Sequence, residues 1–196
     1  MASSAPVDWL IVGLGNPGRE HANTRHNVGF MVADALAQRW QLGKARQRFR
    51  GLLLEGRVPT GVSEGAPRTT RVGLLRPQTY MNEAGRSVGP ARGAFKLPVE
   101  RVLVVHDEID LPFGEVRART GGGLAGHNGL RSIRRGLGSA DFTRVRVGVG
   151  RPDSTDPEIV SAYVLGRFRE SQQQVEELVE RACREVERVV LEQDAP

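Results

Sequence analysis

Two short apolar runs, each ending where chemistry-bearing residues begin, constrain this chain more than anything else in it. Trp9 to Leu14 is a strand-sized hydrophobic stretch that stops at the turn-forming Gly15-Asn16-Pro17-Gly18, and Val102 to Val105 is another that runs into His106-Asp107-Glu108-Ile109-Asp110. Apolar runs of four to eight residues bounded by turn signals read as buried strands. Elsewhere the period changes. Val28, Met31, Val32, Ala35, Leu36 and Trp40 recur at helical spacing between Asn27 and Trp40, a second helix spans about Glu83 to Phe95, and a third about Leu130 to Leu137. Strands alternating with helices imply an α/β layer fold. The runs Gly51 to Val58 and Thr70 to Leu75, joined by a Pro/Gly/Ser/Glu loop, and the runs Val116 to Arg119 and Arg144 to Val147 read as antiparallel pairs, so the sheet is mixed. Val175, Leu178, Val179, Ala182, Val186, Val189 and Val190 then mark one face of a closing amphipathic helix. The expectation is one α/β domain over residues 1–196, a twisted mixed β-sheet with helices packed on both faces, behind a flexible tail over residues 1–7.

Composition narrows the classes. At 196 residues and 39% hydrophobic, the chain can bury a core of its own. No apolar run approaches the ~18 residues of a membrane helix. The start, Met1 to Pro6, resembles neither a signal nor a transit peptide, which predicts a cytoplasmic protein. Cys183 is the one cysteine and lies in the apolar stripe of the last helix, so neither an internal disulfide nor a cysteine zinc site is available. The net charge of +5 is unevenly distributed. Leu111 to Arg151 carries eight arginines against Glu115 and Asp141, whereas from Glu170 onward eight acids face three arginines. A polarised surface of this kind suits a polyanion such as nucleic acid on its basic side, although a merely solvated face would look the same by count.

Several motifs invite chemistry. Gly13-Leu14-Gly15-Asn16-Pro17-Gly18 has the form of a dinucleotide-binding fingerprint, but Asn-Pro makes a turn where that site needs a helix start, and Asp34 falls inside a helix rather than at a strand end. A nicotinamide site is therefore disfavoured. None of His21, His26, His106 and His127 is paired at the i, i+4 spacing of a helical metal site, so no metal is expected. His26, just before a helix and beyond a strand end, can serve as a proton acceptor near neutral pH, and Asp107, Glu108 or Asp110 could fix its tautomer. Any one of these residues alone reads as an ordinary polar group. No G-x-S-x-G nucleophile is present, which leaves water as the attacking group. Asn16, Asn82 and Asn128, in turns, offer amides able to hold a peptide backbone or a developing oxyanion. The segment Gly121 to Gly126 lacks the Gly-Lys-Ser/Thr ending of a P-loop and reads as a mobile wall. In the strands flanking it, arginines at i and i+2 stand ~6.6 Å apart on one face, close enough to clamp phosphate.

Six blocks in order, Val12 to Gly18, Thr24 to Phe30, Tyr80-Met81-Asn82 with Gly85, His106 to Pro112, Gly121 to Gly123 with Gly126 to Leu130, and Arg144 to Pro152, closely resemble bacterial-type peptidyl-tRNA hydrolases. The resemblance implies a monomeric, cofactor-free esterase that cleaves the ester between a peptide and the 3′ ribose of tRNA. It implies His26 as the general base, Asp107 as its support and Asn16 as the group that favours N-blocked substrates. Asn82 and Asn128 would bind substrate backbone and position water, Tyr80 and Met81 would line the cleft, and Arg117, Arg119 and Arg146 would contact tRNA phosphate. This chain departs from the family's pattern at His21, where tyrosine is common at a substrate contact, and at Leu124-Ala125 in the gate segment. It also lacks the basic tail seen in many members after the last helix. The rival reading is an RNA-binding protein of this fold without ester cleavage.

Overall fold

The computed structural model describes residues 6–63 and 66–193. Its first run, β1 (Trp9–Gly13), is buried along its whole length because it sits at the middle of the sheet. After α1 (Val28–Arg39) come β2 (Arg46–Arg48), β3 (Gly51–Ser63), β4 (Ala66–Pro77), α2 (Gly85–Phe95), β5 (Val102–Glu108), β6 (Val116–Thr120), α3 (Asn128–Leu137), β7 (Thr143–Gly148), α4 (Pro157–Leu165) and α5 (Gln172–Gln193). The seven strands form one mixed sheet in the order β2-β3-β4-β1-β5-β7-β6. The β1–β4, β1–β5 and β5–β7 pairs are parallel and the others antiparallel.

Alternation along each strand divides the core in two. Trp9 and Ile11 of β1 pack under Val28, Val32 and Leu36 of α1 and Leu178, Ala182 and Val186 of α5. Leu10 and Val12 point the other way, toward Val88 and Phe95 of α2 and Leu130 and Ile133 of α3. Helices thus cover both faces, as the sequence suggests. Cys183 is wholly buried, and burial pushes its thiol up to about 12, so it stays protonated and inert.

Three expectations need correction. The tail assigned to residues 1–7 is shorter at its inner end, because Val7 is buried against the α2 side of the core; residues 1–5 lie outside the described residues. The loop expected between Val58 and Thr70 is mostly strand, with β3 and β4 paired out to Ser63 and Ala66 across a register shift at Pro59 and Gly61. Proline is tolerated there because β2 pairs only with Gly51 to Leu53, leaving this part of β3 at an edge. Finally, α4 was not anticipated. Ile159, Val160, Tyr163 and Val164 do stand at helical spacing in it, although none of its nine residues is buried. No described helix is long and apolar enough to cross a membrane.

Candidate active site

The carboxyl ends of β1 and β5 lie side by side, with the Leu14 N–H donating to the Val105 carbonyl at 3.0 Å. The start of α1 presses directly on both. A Cβ at Gly29 would lie 2.4 Å from the Val105 carbonyl oxygen and 2.5 Å from the Leu14 nitrogen, so only glycine allows this approach. That contact brings the preceding 3₁₀ turn, Arg25–Asn27, over the end of β5. Within the turn, the Asn27 side chain accepts from Asn16 N–H and donates to the Asn16 carbonyl, both at 2.9 Å, binding it to the glycine turn after β1.

His26 consequently meets Asp107. Its Nδ1 lies 2.9 and 3.0 Å from the two carboxylate oxygens. A carboxylate only accepts, so Nδ1 carries the proton and Nε2, which has no partner among the described residues, keeps its lone pair toward the cleft. Asp107 is also held by His127, whose Nε2 is 2.9 Å from Oδ1. The tautomer of His127 is fixed by its position as the cap of α3, because its Nδ1 accepts from the Gly129 and Leu130 N–H groups. Asp107 thus takes one N–H from each ring, and neither can rotate without breaking a bond. The Asp107 carboxyl is held far below the usual carboxylate range: burial acts against this, but the charges of and bonds to the two histidines prevail. Burial acts to lower the pKa of His26, and the Asp107 charge and hydrogen bond outweigh it, so the net shift is upward. Next to them His106 is driven down to about 3, by burial first and by His127 second, and remains neutral while its Nδ1 donates to the Asp107 carbonyl at 2.7 Å.

These groups open into a cleft of about 790 Å³. Asn16, Tyr80, Met81, Asn82 and Asn128 line it, with Val160, Val164 and Leu165 of α4 as the outer wall. Asn16 Oδ1 accepts from the Met81 N–H at 2.8 Å, which leaves Nδ2 as the donor available to a ligand. Arg25 ties the base to that wall. Its backbone N–H donates to the Gly166 carbonyl at 3.0 Å and its guanidinium to the Tyr163 and Arg167 carbonyls at 3.2 and 2.7 Å, so it grips the last turn of α4 and the two residues just past it.

Of the three carboxylates considered for His26, only Asp107 reaches it. Glu108 binds Arg146 at 2.9 Å and Asp110 binds Arg151 at 2.7 Å. His21 is not among the cleft residues and lies 3.7 Å from Glu20. The strand arginines share one face, since Arg117 registers with Arg146 and Arg119 with Arg144, but they are not equally available. Arg144 is buried, donating to the Gly121 and Gly123 carbonyls, and Arg117 pairs with Glu115 at 2.7 Å. Arg119 is exposed and packs against Gly122. Gly15 serves close packing on the Phe30 ring rather than a pyrophosphate.

His127, 101 positions from His26, has no assigned role in the sequence motifs beyond its place in the Gly126 to Leu130 block; in the fold both rings sit on Asp107, with their centroids 5.1 Å apart. The ligating atoms of His26, Asp107 and His127 come within 4.8 Å of one another, close enough for a metal ion. The two imidazole N–H groups already point into the carboxylate, however, so the donor set here is a proton-carrying network rather than three open lone pairs.

A family model described as peptidyl-tRNA hydrolase matches residues 10–195. The chain is 48% identical over 187 residues to the peptidyl-tRNA hydrolase of Syntrophotalea carbinolica, spanning 95% of this chain and 92% of that protein. It is 43% identical over 183 residues to that of Gloeobacter violaceus, spanning 92% and 87%. The crystal structure of peptidyl-tRNA hydrolase from Acinetobacter baumannii aligns with a TM-score of 0.79 at 36% identity, covering 97% of this chain and 92% of that one.

Proposed function

The chain belongs to the peptidyl-tRNA hydrolase family, and from that premise we propose that it hydrolyses the ester between a peptide and the 3′ ribose of tRNA with His26 as general base. The observation that carries the mechanism is the His26–Asp107 bond at Nδ1, which leaves Nε2 available on the cleft side. A water held between Nε2 and the ester carbonyl gives its proton to His26 as its oxygen attacks. The C–O bond to the ribose then breaks, and the imidazolium returns the proton to the departing 3′ oxygen. Asp107 stabilises that imidazolium, and His127 keeps Asp107 in place.

Asn16 Nδ2 donates to a carbonyl of the acyl-blocked amine. A free α-ammonium has only donors to offer and would leave that amide unpaired, so blocked esters are favoured. Asn82 and Asn128 position the peptide backbone and the water, while Tyr80 and Met81 flank the peptide. Arg119 is the strand arginine best disposed toward phosphate, with Arg117 and Arg146 released to it from Glu115 and Glu108. His21 stands outside the cleft, beside Glu20. On the same premise the protein works as a cytoplasmic monomer without a cofactor.

The test compares N-acetyl-aminoacyl-tRNA with its unblocked counterpart. The expected result is release from the blocked ester alone, with the preference reduced in Asn16→Ala. Tight tRNA binding with no cleavage of either would instead assign the fold to RNA recognition.

A further inference from the structure

The layers on the two sides of the sheet differ sharply in charge. The helices α2 and α3 contain Arg86, Arg92, Arg131, Arg134 and Arg135 and no acid, whereas α1 and α5 together contain seven acids and four arginines. The strand arginines belong to the same side as α2 and α3. Val145 and Val147 pack with α5, so alternation turns Arg144 and Arg146, and with them Arg117 and Arg119, toward the α3 side. The basic residues of this side therefore extend well beyond the β6–β7 edge, onto α2 and α3.

A groove runs along this side. The two helices touch backbone to backbone, and a Cβ at Gly85 would lie 2.1 Å from the Ser132 carbonyl oxygen and one at Gly89 2.6 Å from that of Gly136. Nothing large stands above that contact, which leaves an open trough of about 710 Å³ with Arg86 on one rim and Arg135 on the other. Asn82 lines both this trough and the catalytic cleft, and Arg131, one helical turn before Arg135, lines the cleft, so the two are continuous. Arg131, Arg134 and Arg135 have no carboxylate partner among the described residues, in contrast to Arg39, Arg117, Arg146 and Arg151. The one acid at the trough, Glu83, is already engaged by Arg86 at 2.7 Å.

We propose that the α2–α3 groove is a second phosphate site for the tRNA strand, which holds the RNA on the far side of the cleft from the β6–β7 arginines. The proposal rests on the hydrolase reading and extends its RNA contact. The chemistry at the rims favours a phosphodiester: guanidinium donors, no uncommitted acid and a floor of small residues that lets a backbone approach. Arg131 and Arg135 stand about 6 Å apart along α3, a spacing at which each can serve its own phosphate.

The experiment measures tRNA affinity against salt, and turnover on two substrates, for Arg86→Gln/Arg135→Gln. Two lost phosphate contacts should flatten the slope of log K against log salt by about 1.4–1.8. KM for full-length N-acetyl-aminoacyl-tRNA should rise, while kcat and KM on the same ester of a short CCA oligonucleotide stay at their wild-type values. Arg135→Lys, which keeps the charge but not the contact to the Asn82 carbonyl, should retain most of the slope. An unchanged slope in the double variant, or an equal loss on both substrates, overturns the proposal. Binding is read without turnover, so a groove-dependent slope in a protein that cleaves nothing would sink the hydrolase reading and leave the groove intact. Cleavage with a groove-independent slope would do the reverse.

Discussion

Replacing His26 by alanine lowers kcat on N-acetyl-aminoacyl-tRNA by about 10²–10⁴-fold, the usual worth of a positioned general base, and leaves tRNA affinity as it was. The two effects separate because the ring touches Asp107 and the cleft but none of the arginines on the basic side. The substitution also removes one of the two N–H groups on a buried carboxylate, so Asp107 depends on His127 alone. Thermal melting alongside single-turnover kinetics distinguishes that structural cost from the chemical one. Turnover within tenfold of wild type would remove His26 from the role assigned to it.

Asp107→Asn is the second large effect, and it acts through protons rather than shape. The carboxylate accepts from both histidines, whereas an amide has one oxygen for the two N–H groups and turns its own N–H₂ on one of them. His127 cannot change tautomer without giving up the amides that start α3, so it claims the oxygen. His26 must then meet the amide nitrogen with Nδ1 unprotonated, which puts the proton on Nε2, where the water's proton should go. The expected loss in kcat is of the order of the ~10⁴ that the same change costs a Ser-His-Asp site. The pH profile moves as well. Hydrolysis needs neutral His26, and Asp107 raises its pKa, so the wild-type rate falls as pH drops through that raised value. Without the charge, burial acts unopposed and the acid limb of the residual activity shifts to lower pH. A limb that stays in place would mean that some other group sets it.

The elements nearest the chemistry were legible because each announces itself locally. A buried run followed by a glycine turn, a period of 3.6 after Asn27 and a strand ending in His-Asp need no partner to be recognised, and they fixed both β1 and β5 and placed His26 near Asp107. Pairing at a distance was not legible. Nothing local distinguishes His127 from a turn histidine, since its role depends on α3 amides on one side and Asp107 on the other. Arg144 and Arg146 look alike in an alternating strand, yet one is buried under the glycine segment while the other ion-pairs at the surface of β7. The helix α4 carried two local signals that went unread, its cap, with Asp156 accepting from the Glu158 N–H and Pro157 at the first position, and the helical spacing of Ile159, Val160, Tyr163 and Val164.

That helix is held by its last turn. With no buried side chain of its own, α4 relies on the Tyr163 hydroxyl on the Val149 carbonyl and on the Tyr163 and following Gly166 and Arg167 carbonyls bound by Arg25, the residue beside the base. Loosening one end of this linkage loosens the other, so the outer wall and the catalytic turn form a single cooperative opening unit. In hydrogen exchange, the amides from Arg25 to Val28 and from Val160 to Gly166 should lose protection together, with one opening free energy below that of the central strands.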